Sequence, residues 1–327
     1  MPDALIIGGG ISGLSTAYYL KAPSTIVESR PRLGGVIQTE RVEGCVIEAG
    51  PDSFLSAKPA ALDLIRELGL GSDVIGSNDH IRVTFVKKNG RLVPLPDGLM
   101  MMVPTKVMPM VTTPLLGWGT KIRMGMELLH APKPHAEDQS VADFVREHYG
   151  QEAVDYLAEP LLSGIYGGDP RKLSVTAVLP RFVEMARQYG SLTRGVLASR
   201  AQAKSGGTPA PLFRTLKGGL GTLIDAVARA AKPEVLAARA ETVERTASGF
   251  RVRLGGDWIE ARSLVLATEA HSAAALVAAL DPRLAELLAA VGYSSSMTVA
   301  LGFDAADFAK RPIGFGFLIP KKERRRL

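Results

Sequence analysis

The residues with the clearest chemical potential lie at the start of the chain, where three glycines and one acid are set at fixed intervals. Gly8-Gly9-Gly10-Ile11-Ser12-Gly13 is a G-x-G-x-x-G, and Glu28 lies twenty residues beyond its first glycine. In such a pattern Gly8 permits a tight turn, Gly10 lets the backbone approach a pyrophosphate, and Gly13 lets a helix pack closely on a strand. A helix starting at this point offers unpaired N–H groups and a positive dipole end to phosphate oxygens. A carboxylate at Glu28 accepts from ribose hydroxyls, and its charge disfavours a 2′-phosphate. The chemistry is dinucleotide binding. A chain with 34 glycines in 327 residues can carry the motif as a mere loop, so the flanking elements decide.

Those elements are of the required kind. Ala4–Ile7 is a short apolar run suited to a buried parallel strand. Leu14–Leu20 reads as a helix closed by Lys21-Ala22-Pro23-Ser24, and Thr25-Ile26-Val27 is a second strand with Glu28 at its end. Next comes Ser29-Arg30-Pro31-Arg32-Leu33-Gly34-Gly35, whose paired glycines let the backbone fold under a cofactor with no Cβ in the way. This extension resembles the FAD-binding signature of amine-oxidase-like flavoproteins. Glu48-Ala49-Gly50-Pro51-Asp52-Ser53-Phe54 resembles the next segment of that superfamily, where the chain passes the flavin end of the cofactor.

Farther along, a helix is predicted within Ser56–Leu68, and Arg82–Val86 and Arg91–Leu95 flank the turn Lys87-Lys88-Asn89-Gly90 of a hairpin. Between Leu95 and Trp118 five methionines (100, 101, 102, 108, 110) alternate with four prolines, which forbid one continuous helix. The methionines read either as an apolar surface for a membrane or pocket, or as core filling. Helical periodicity covers 121–129, 141–148, 152–162 and 177–200, and a Gly/Pro linker follows at 205–209. Phe213–Leu216 precedes a Gly-rich turn and a helix over 222–231; 235–238, 241–246, 250–254 and 258–261 alternate like a meander; 263–267 is another buried strand, followed by a helix over 269–280.

The order implies an α/β, doubly wound FAD/NAD(P)-binding (Rossmann-like) domain with an inserted helical region and a partial α+β substrate domain. The expected boundaries are 1–77 plus 212–271 for the nucleotide domain, 78–100 plus 272–327 for the substrate domain, and 101–205 for the helical insertion.

Composition narrows the alternatives. Thirty-nine Lys and Arg against 33 Asp and Glu give a net charge of +6, too small and too scattered to argue for nucleic acid. The basic tract at 321–326 reads as a solvated tail. One cysteine, Cys45, excludes an internal disulfide, and the five scattered histidines suggest no metal site. Met1-Pro2-Asp3 leads straight into a strand without the basic start of a signal peptide, and no apolar run is long enough to span a bilayer. A cytoplasmic protein is expected, with peripheral membrane contact at the methionine segment as an added possibility.

Leu161-Leu162-Ser163-Gly164-Ile165-Tyr166-Gly167-Gly168-Asp169, Lys172-Leu173-Ser174, Leu95-Pro96-Asp97-Gly98 and Leu216-Lys217-Gly218-Gly219-Leu220 make the likeness specific. With Gly50–Phe54, they resemble the oxygen-dependent protoporphyrinogen/coproporphyrinogen oxidase family of haem biosynthesis, closest to the bacterial branch that prefers coproporphyrinogen III. The resemblance implies FAD-mediated oxidation of a porphyrinogen to the porphyrin in three steps, with O2 as acceptor and hydrogen peroxide as product. It implies removal of hydride from a meso carbon to the flavin, so no acid–base dyad or nucleophile is required of the protein, and none is assigned. A homodimer is among the assemblies it allows.

Residue by residue, the resemblance implies FAD contacts at Gly8, Gly9, Gly10, Ile11, Ser12, Gly13, Glu28 and Ser29 for the ADP part. Gly35, Val36, Gly50, Pro51, Asp52 and Ser53 lie nearer the flavin, and Val243 offers its backbone to the adenine. Asp52 and Gly164 are expected beside the substrate ring, against plain readings as a turn residue and a helix C-cap. Thr84 stands where some relatives carry an arginine that pairs with a propionate, and Arg82 is expected to substitute. The family's final return to the nucleotide domain has no counterpart before Leu327, so a fragment or truncated product is expected. Two other readings stay open: an amine oxidase or carotenoid desaturase of the same superfamily, and an inactive remnant.

Overall fold

The first strand and its partner are short, buried along their whole length, and aliphatic or β-branched at every position but the two ends of the second. They are β1 (Ala4–Ile7) and β2 (Ser24–Glu28), joined by α1 (Ile11–Leu20). The computed structural model describes residues 2–78, 83–129, 137–203, 211–308 and 314–324. After β2 come the hairpin β3 (Thr39–Val42) and β4 (Cys45–Glu48), then β5 (Phe54–Leu55), α2 (Pro59–Glu67) and β6 (Val74–Gly76).

The middle of the chain begins with the hairpin β7 (Thr84–Lys88) and β8 (Arg91–Pro94), turned by Asn89 and Gly90, both at positive φ. Two short strands follow, β9 (Leu99–Met100) and β10 (Val103–Pro104), and then helices α3 (Val107–Thr112), α4 (Trp118–Met126) and α5 (Val141–Tyr149). α6 (Gln151–Ala153) passes through a π-helical turn at Val154–Ala158 into α7 (Glu159–Tyr166). The continuous helix expected over 177–200 is instead three: α8 (Val175–Val178), α9 (Pro180–Tyr189) and α10 (Leu192–Ala203). Pro180 cannot continue a helix from α8 and starts α9 instead, and Gly190, in the left-handed region, ends it.

The chain then runs through β11 (Phe213–Leu216), α11 (Gly221–Ala231), β12 (Glu234–Ala237), β13 (Ala240–Thr246), β14 (Gly249–Leu254), β15 (Asp257–Ala261), β16 (Ser263–Leu266), α12 (Ala270–Val277), α13 (Pro282–Ala289) and β17 (Gly316–Leu318). Two compact units divide it: residues 1–77, 210–293 and 297–303, and residues 78–209, 294–296 and 304–327.

In the first unit a parallel sheet has the order β12-β2-β1-β16. Residue 235 pairs with Ile26 in that sheet, so the segment expected to begin a four-strand meander is a parallel edge strand, and only β13–β15 form the meander. Alternation is the same in both settings, which is why the pattern misled. Successive side chains of β1 point to opposite faces. Ile6 and Ile26 pack with Leu14, Ala17, Ile224 and Val227 of α1 and α11. Leu5, Ile7 and Val27 pack with Val243 and Val252 of the meander.

In the second unit β17 lies parallel on β7, giving the order β17-β7-β8. The core is helical, built from Leu115, Val145, Tyr149, Leu157, Leu162 and Leu192 among others. Met102 and Met110 are buried in it, and Met100 and Met101 pack against it. The methionine segment is therefore mainly core filling; only Met108, 68% exposed, faces outward. The described part of the basic C-terminal tract is docked rather than a free tail. Lys321 Nζ meets Asp169 Oδ2 at 2.8 Å, Lys322 Nζ meets Asp155 Oδ2 at 3.1 Å, and Tyr156 Oη donates to Glu323 Oε1 at 3.0 Å.

Candidate functional site

The turn between β1 and α1 is built by contacts that leave no room for side chains except at one glycine. A Cβ on Gly8, which has φ +107°, would sit 2.6 Å from the Ala267 carbonyl oxygen, and one on Gly13 would sit 1.9 Å from that of Gly8. A Cβ on Gly9 would strike Leu33 at 2.6 Å. On Gly10 it would meet only the Gly35 Cα, at an ordinary 3.8 Å, so this backbone is the least crowded of the four. Gly10 caps α1 without a side-chain hydrogen bond and is bridged in parallel to Gly34, and among the described residues the N–H groups of Ser12 and Gly13 have no protein acceptor. Bare backbone beside two free donors at a helix start is what an anionic diphosphate requires.

Glu28 is 8% exposed, and it is already engaged. Its Oε2 accepts from Gly9 N at 2.8 Å and its Oε1 from Arg30 N at 2.8 Å. The acid therefore also braces the glycine turn, and ribose hydroxyls would add to these bonds. Ser29 follows it on the exposed side.

The paired glycines come under the first turn. Gly34 N donates to Gly9 O at 2.8 Å, and Gly34 and Gly35 both have positive φ. The sequence pattern gave no separate role to Arg32, yet its guanidinium donates to the carbonyls of Gly35 (2.7 Å), Ile37 (3.0 Å) and Leu33 (3.3 Å). Those three carbonyls are held to one planar cation. Val36 is 62% exposed, and a Cβ on Gly50 would lie 2.0 Å from its carbonyl oxygen. Gly35, Val36 and Gly50 are thus neighbours. Pro51 and Asp52 are exposed next to them, with Ser53 Oγ donating to Asp52 Oδ1 at 2.7 Å.

Val243 lies in the middle of β13, opposite Val252, with its side chain fully buried. Gly164 is in the second unit, inside α7 on an exposed face; the helix ends three residues later at Gly167, so Gly164 is not its cap. A Cβ there would touch Leu318 at an ordinary 3.5 Å. Arg82 lies outside the described residues, and Thr84 is the first residue of β7. Among the described residues no group of three or more His, Cys, Asp or Glu could hold a metal ion.

The sequence signature of the family described as "Flavin containing amine oxidoreductase" matches residues 11–324. A coproporphyrinogen III oxidase of Bacillus subtilis (strain 168) is 35% identical over 97% of this chain and 70% of its own length. One of Propionibacterium freudenreichii subsp. freudenreichii is 34% identical over 97% of this chain and 67% of its own. A crystal structure from Exiguobacterium sp. 255-15, whose name assigns it provisionally to the protoporphyrinogen oxidases, superposes with a TM-score of 0.76 at 30% identity. That superposition covers 86% of this chain and 62% of the other. Cyclohexylamine oxidase from Brevibacterium oxydans IH-35A, 21% identical with a TM-score of 0.58 over 88% of this chain and 63% of its own, shares the fold. The chain spans about two thirds of the length of these proteins.

Proposed function

The chain belongs to the flavin-containing amine oxidoreductase family, and from that membership we propose that it binds FAD and oxidises a porphyrinogen, coproporphyrinogen III or protoporphyrinogen IX, to the porphyrin. The observation that carries the cofactor half is Gly10: its uncrowded backbone lies beside the helix N–H groups of Ser12 and Gly13, which have no acceptor among the described residues. The likeness to proteins named coproporphyrinogen III oxidase over 97% of the chain supports the substrate half. When bound, the flavin takes up electron pairs from the substrate and passes them to O2, which becomes hydrogen peroxide.

The chain's own part is to bind and orient. Ser12 and Gly13 N–H groups, beside Ile11, hold the diphosphate, and Glu28 accepts from the ribose while fixing the turn. Val36, Gly50 and Ser53 present backbone to the flavin end, and Val243 does so to the adenine. Asp52 and Gly164 are assigned to the substrate side, and Arg82 to a propionate. In this reading residues 1–77 with 212–271 bind FAD, 78–100 with 272–327 belong to the substrate domain, and 101–205 form the helical insertion.

The test is to load the purified chain with FAD, desalt it, record the visible spectrum, and then supply each porphyrinogen in air. Retained flavin with porphyrin fluorescence and peroxide is expected. Retained flavin with oxidation of amines only would favour the amine-oxidase reading, and a colourless protein would remove the cofactor assignment.

Peripheral membrane contact is also part of the proposal, at a different place from the methionine run. No helix among the described residues is long and apolar enough to cross a membrane. On α4, however, Trp118 (65%), Ile122 (60%) and Met126 (52%) are exposed at intervals of four, with Lys121 Nζ 4.7 Å from the Trp118 ring centroid. An apolar stripe carrying a tryptophan and flanked by cations suits an anionic lipid surface. Co-sedimentation with phosphatidylserine vesicles should fall when all three are changed to serine; equal binding would remove the surface from consideration. Sedimentation velocity tests the proposed homodimer.

A further inference from the structure

Glu48 and Thr39 lie on neighbouring strands of a hairpin with no obvious task. Thr39 pairs with Glu48 across β3 and β4, and Thr39 Oγ1 donates to Glu48 Oε2 at 2.7 Å. Both side chains then reach out of the hairpin to the start of α11. Glu48 Oε1 accepts from Leu220 N at 2.6 Å, and Thr39 Oγ1 accepts from Gly221 N at 2.8 Å. α11 has no capping side chain of its own, so these two residues, far away in sequence, fill the positions a cap would fill. A carboxylate there also faces the positive end of the helix.

The fit is close. A Cβ on Gly219, which has φ +89°, would lie 2.3 Å from Thr39 Cγ2 and 3.0 Å from Glu48 Oε1. Arg41, on the same hairpin, donates from its guanidinium to Gly218 O at 3.2 Å. The hairpin is thus fastened to the Gly218–Gly221 turn at three points.

Glu48 is also the last residue before Ala49-Gly50-Pro51-Asp52-Ser53. Ala49 N donates to Gln38 O at 2.8 Å, and Gly50 is pressed against the Val36 carbonyl with no space for a Cβ. A displacement of Glu48 cannot be absorbed at Gly50 and must pass into the Val36 loop. We infer that Glu48, acting with Thr39, is a positioning residue for the flavin: its carboxylate locks the β3–β4 hairpin to the amino end of α11 and thereby sets where Val36 and Gly50–Ser53 present their backbone. The inference rests on the reading of those residues as flavin contacts, and it adds a residue that touches no cofactor atom itself.

The test uses the full chain and titrates FAD by flavin fluorescence, at a temperature well below every variant's unfolding midpoint, with the visible spectrum of the bound flavin recorded alongside. Hydrogen bonds to a charged acceptor imply that Glu48→Ala weakens FAD binding about 10- to 100-fold. Glu48→Gln keeps one acceptor and falls between. Thr39→Val should weaken binding about ten-fold by the same reasoning, and Thr39→Ser, which keeps the hydroxyl, should restore it. The bound-flavin spectrum should shift in Glu48→Ala, as the ring's surroundings change. Glu43→Ala, at the exposed hairpin turn, is the control and should match the wild type. If Glu48→Ala lowers the melting temperature but binds FAD with unchanged affinity and spectrum, Glu48 only holds the fold and the inference fails. If the wild type binds no FAD, the flavin reading fails, and the inference with it.

Discussion

Replacing Glu127 by glutamine should weaken the helical unit in a way that depends on pH. Glu127 is 2% exposed and accepts four hydrogen bonds. Its Oε1 takes Leu192 N at 2.8 Å and faces His148 Nδ1 at 2.9 Å; its Oε2 takes Ser191 Oγ at 2.9 Å and Thr193 N at 3.2 Å. The carboxylate therefore anchors the start of α10. Burial pushes its pKa up, but the bonds from His148, Thr193 and Ser191 and the charge of His148 outweigh burial and hold it down at about 2. Beside it Tyr149 Oη is 2.8 Å from Thr193 Oγ1, and burial with the Glu127 charge keeps that phenol ionising well above its ordinary range.

A carboxyl held at about 2 when folded, against an ordinary 4.5, stabilises the folded state above pH 4.5 and loses that effect as pH falls toward 2. At 1.36 kcal/mol per pH unit the full effect is about 3 kcal/mol, comparable with the cost of breaking a buried charged network. Roughly 1 kcal/mol of it should be gone at about pH 3.5, where the unfolded carboxyl is mostly protonated and the folded one is not. The assay is urea unfolding of wild type and Glu127→Gln at pH 7 and pH 3.5, followed by hydrogen exchange in peptides spanning 186–203. Taken as a difference between the two proteins, the titration of remote carboxylates cancels. A gap that is the same at both pH values would refute the reasoning, because it would mean that shape and not charge carries the contribution.

Two glycines of the first turn should respond in opposite ways. Gly10→Val should leave a folded chain that no longer retains flavin, because its Cβ meets the protein only at an ordinary 3.8 Å from Gly35 Cα; retained yellow colour would refute the cofactor assignment. Gly13→Ala puts a Cβ 1.9 Å from the Gly8 carbonyl oxygen and should cost stability itself. About 3 kcal/mol or more is expected from such a clash, seen as a lower melting temperature without added FAD. Leu162→Ala removes a fully buried side chain of the helical core and should cost about 2–5 kcal/mol in urea unfolding. Asp281→Ala removes the side chain that accepts from Leu284 N at 2.9 Å at the start of α13 and should cost about 1 kcal/mol, read as faster exchange in that helix.

The nucleotide turn was legible because its requirements are local. A strand, a glycine turn, a helix, a second strand and an acid follow one another within about thirty residues, and Gly13 answers to Gly8 five positions away, although Gly8 itself is also confined by Ala267. The Asn89-Gly90 hairpin was legible for the same reason, since residues that tolerate positive φ mark such turns. The division of 175–203 into three helices was also written in Pro180 and Gly190, but apolar periodicity across the breaks masked it.

What escaped was non-local. Glu48 meets Leu220 across 172 positions, and Glu127 meets Leu192 across 65, and neither pair has a spacing that marks it beforehand. The methionines between 100 and 110 are chemically alike, yet Met102 is buried and Met108 is mostly exposed. Residues 234–237 alternate as a meander strand would, but lie on β2 in the parallel sheet. From the sequence alone came the order of elements in the first βαβ unit, the backbone freedom at Gly8–Gly13 and the acid at the end of β2, because covalent geometry and nearest neighbours settle those. Only the folded chain assigns partners to Glu48 and Glu127, an outer face to α4 and a sheet to β12. Those choices depend on which distant donors a buried carboxylate can reach and which apolar surfaces find each other, and neither is a property of any short stretch of residues.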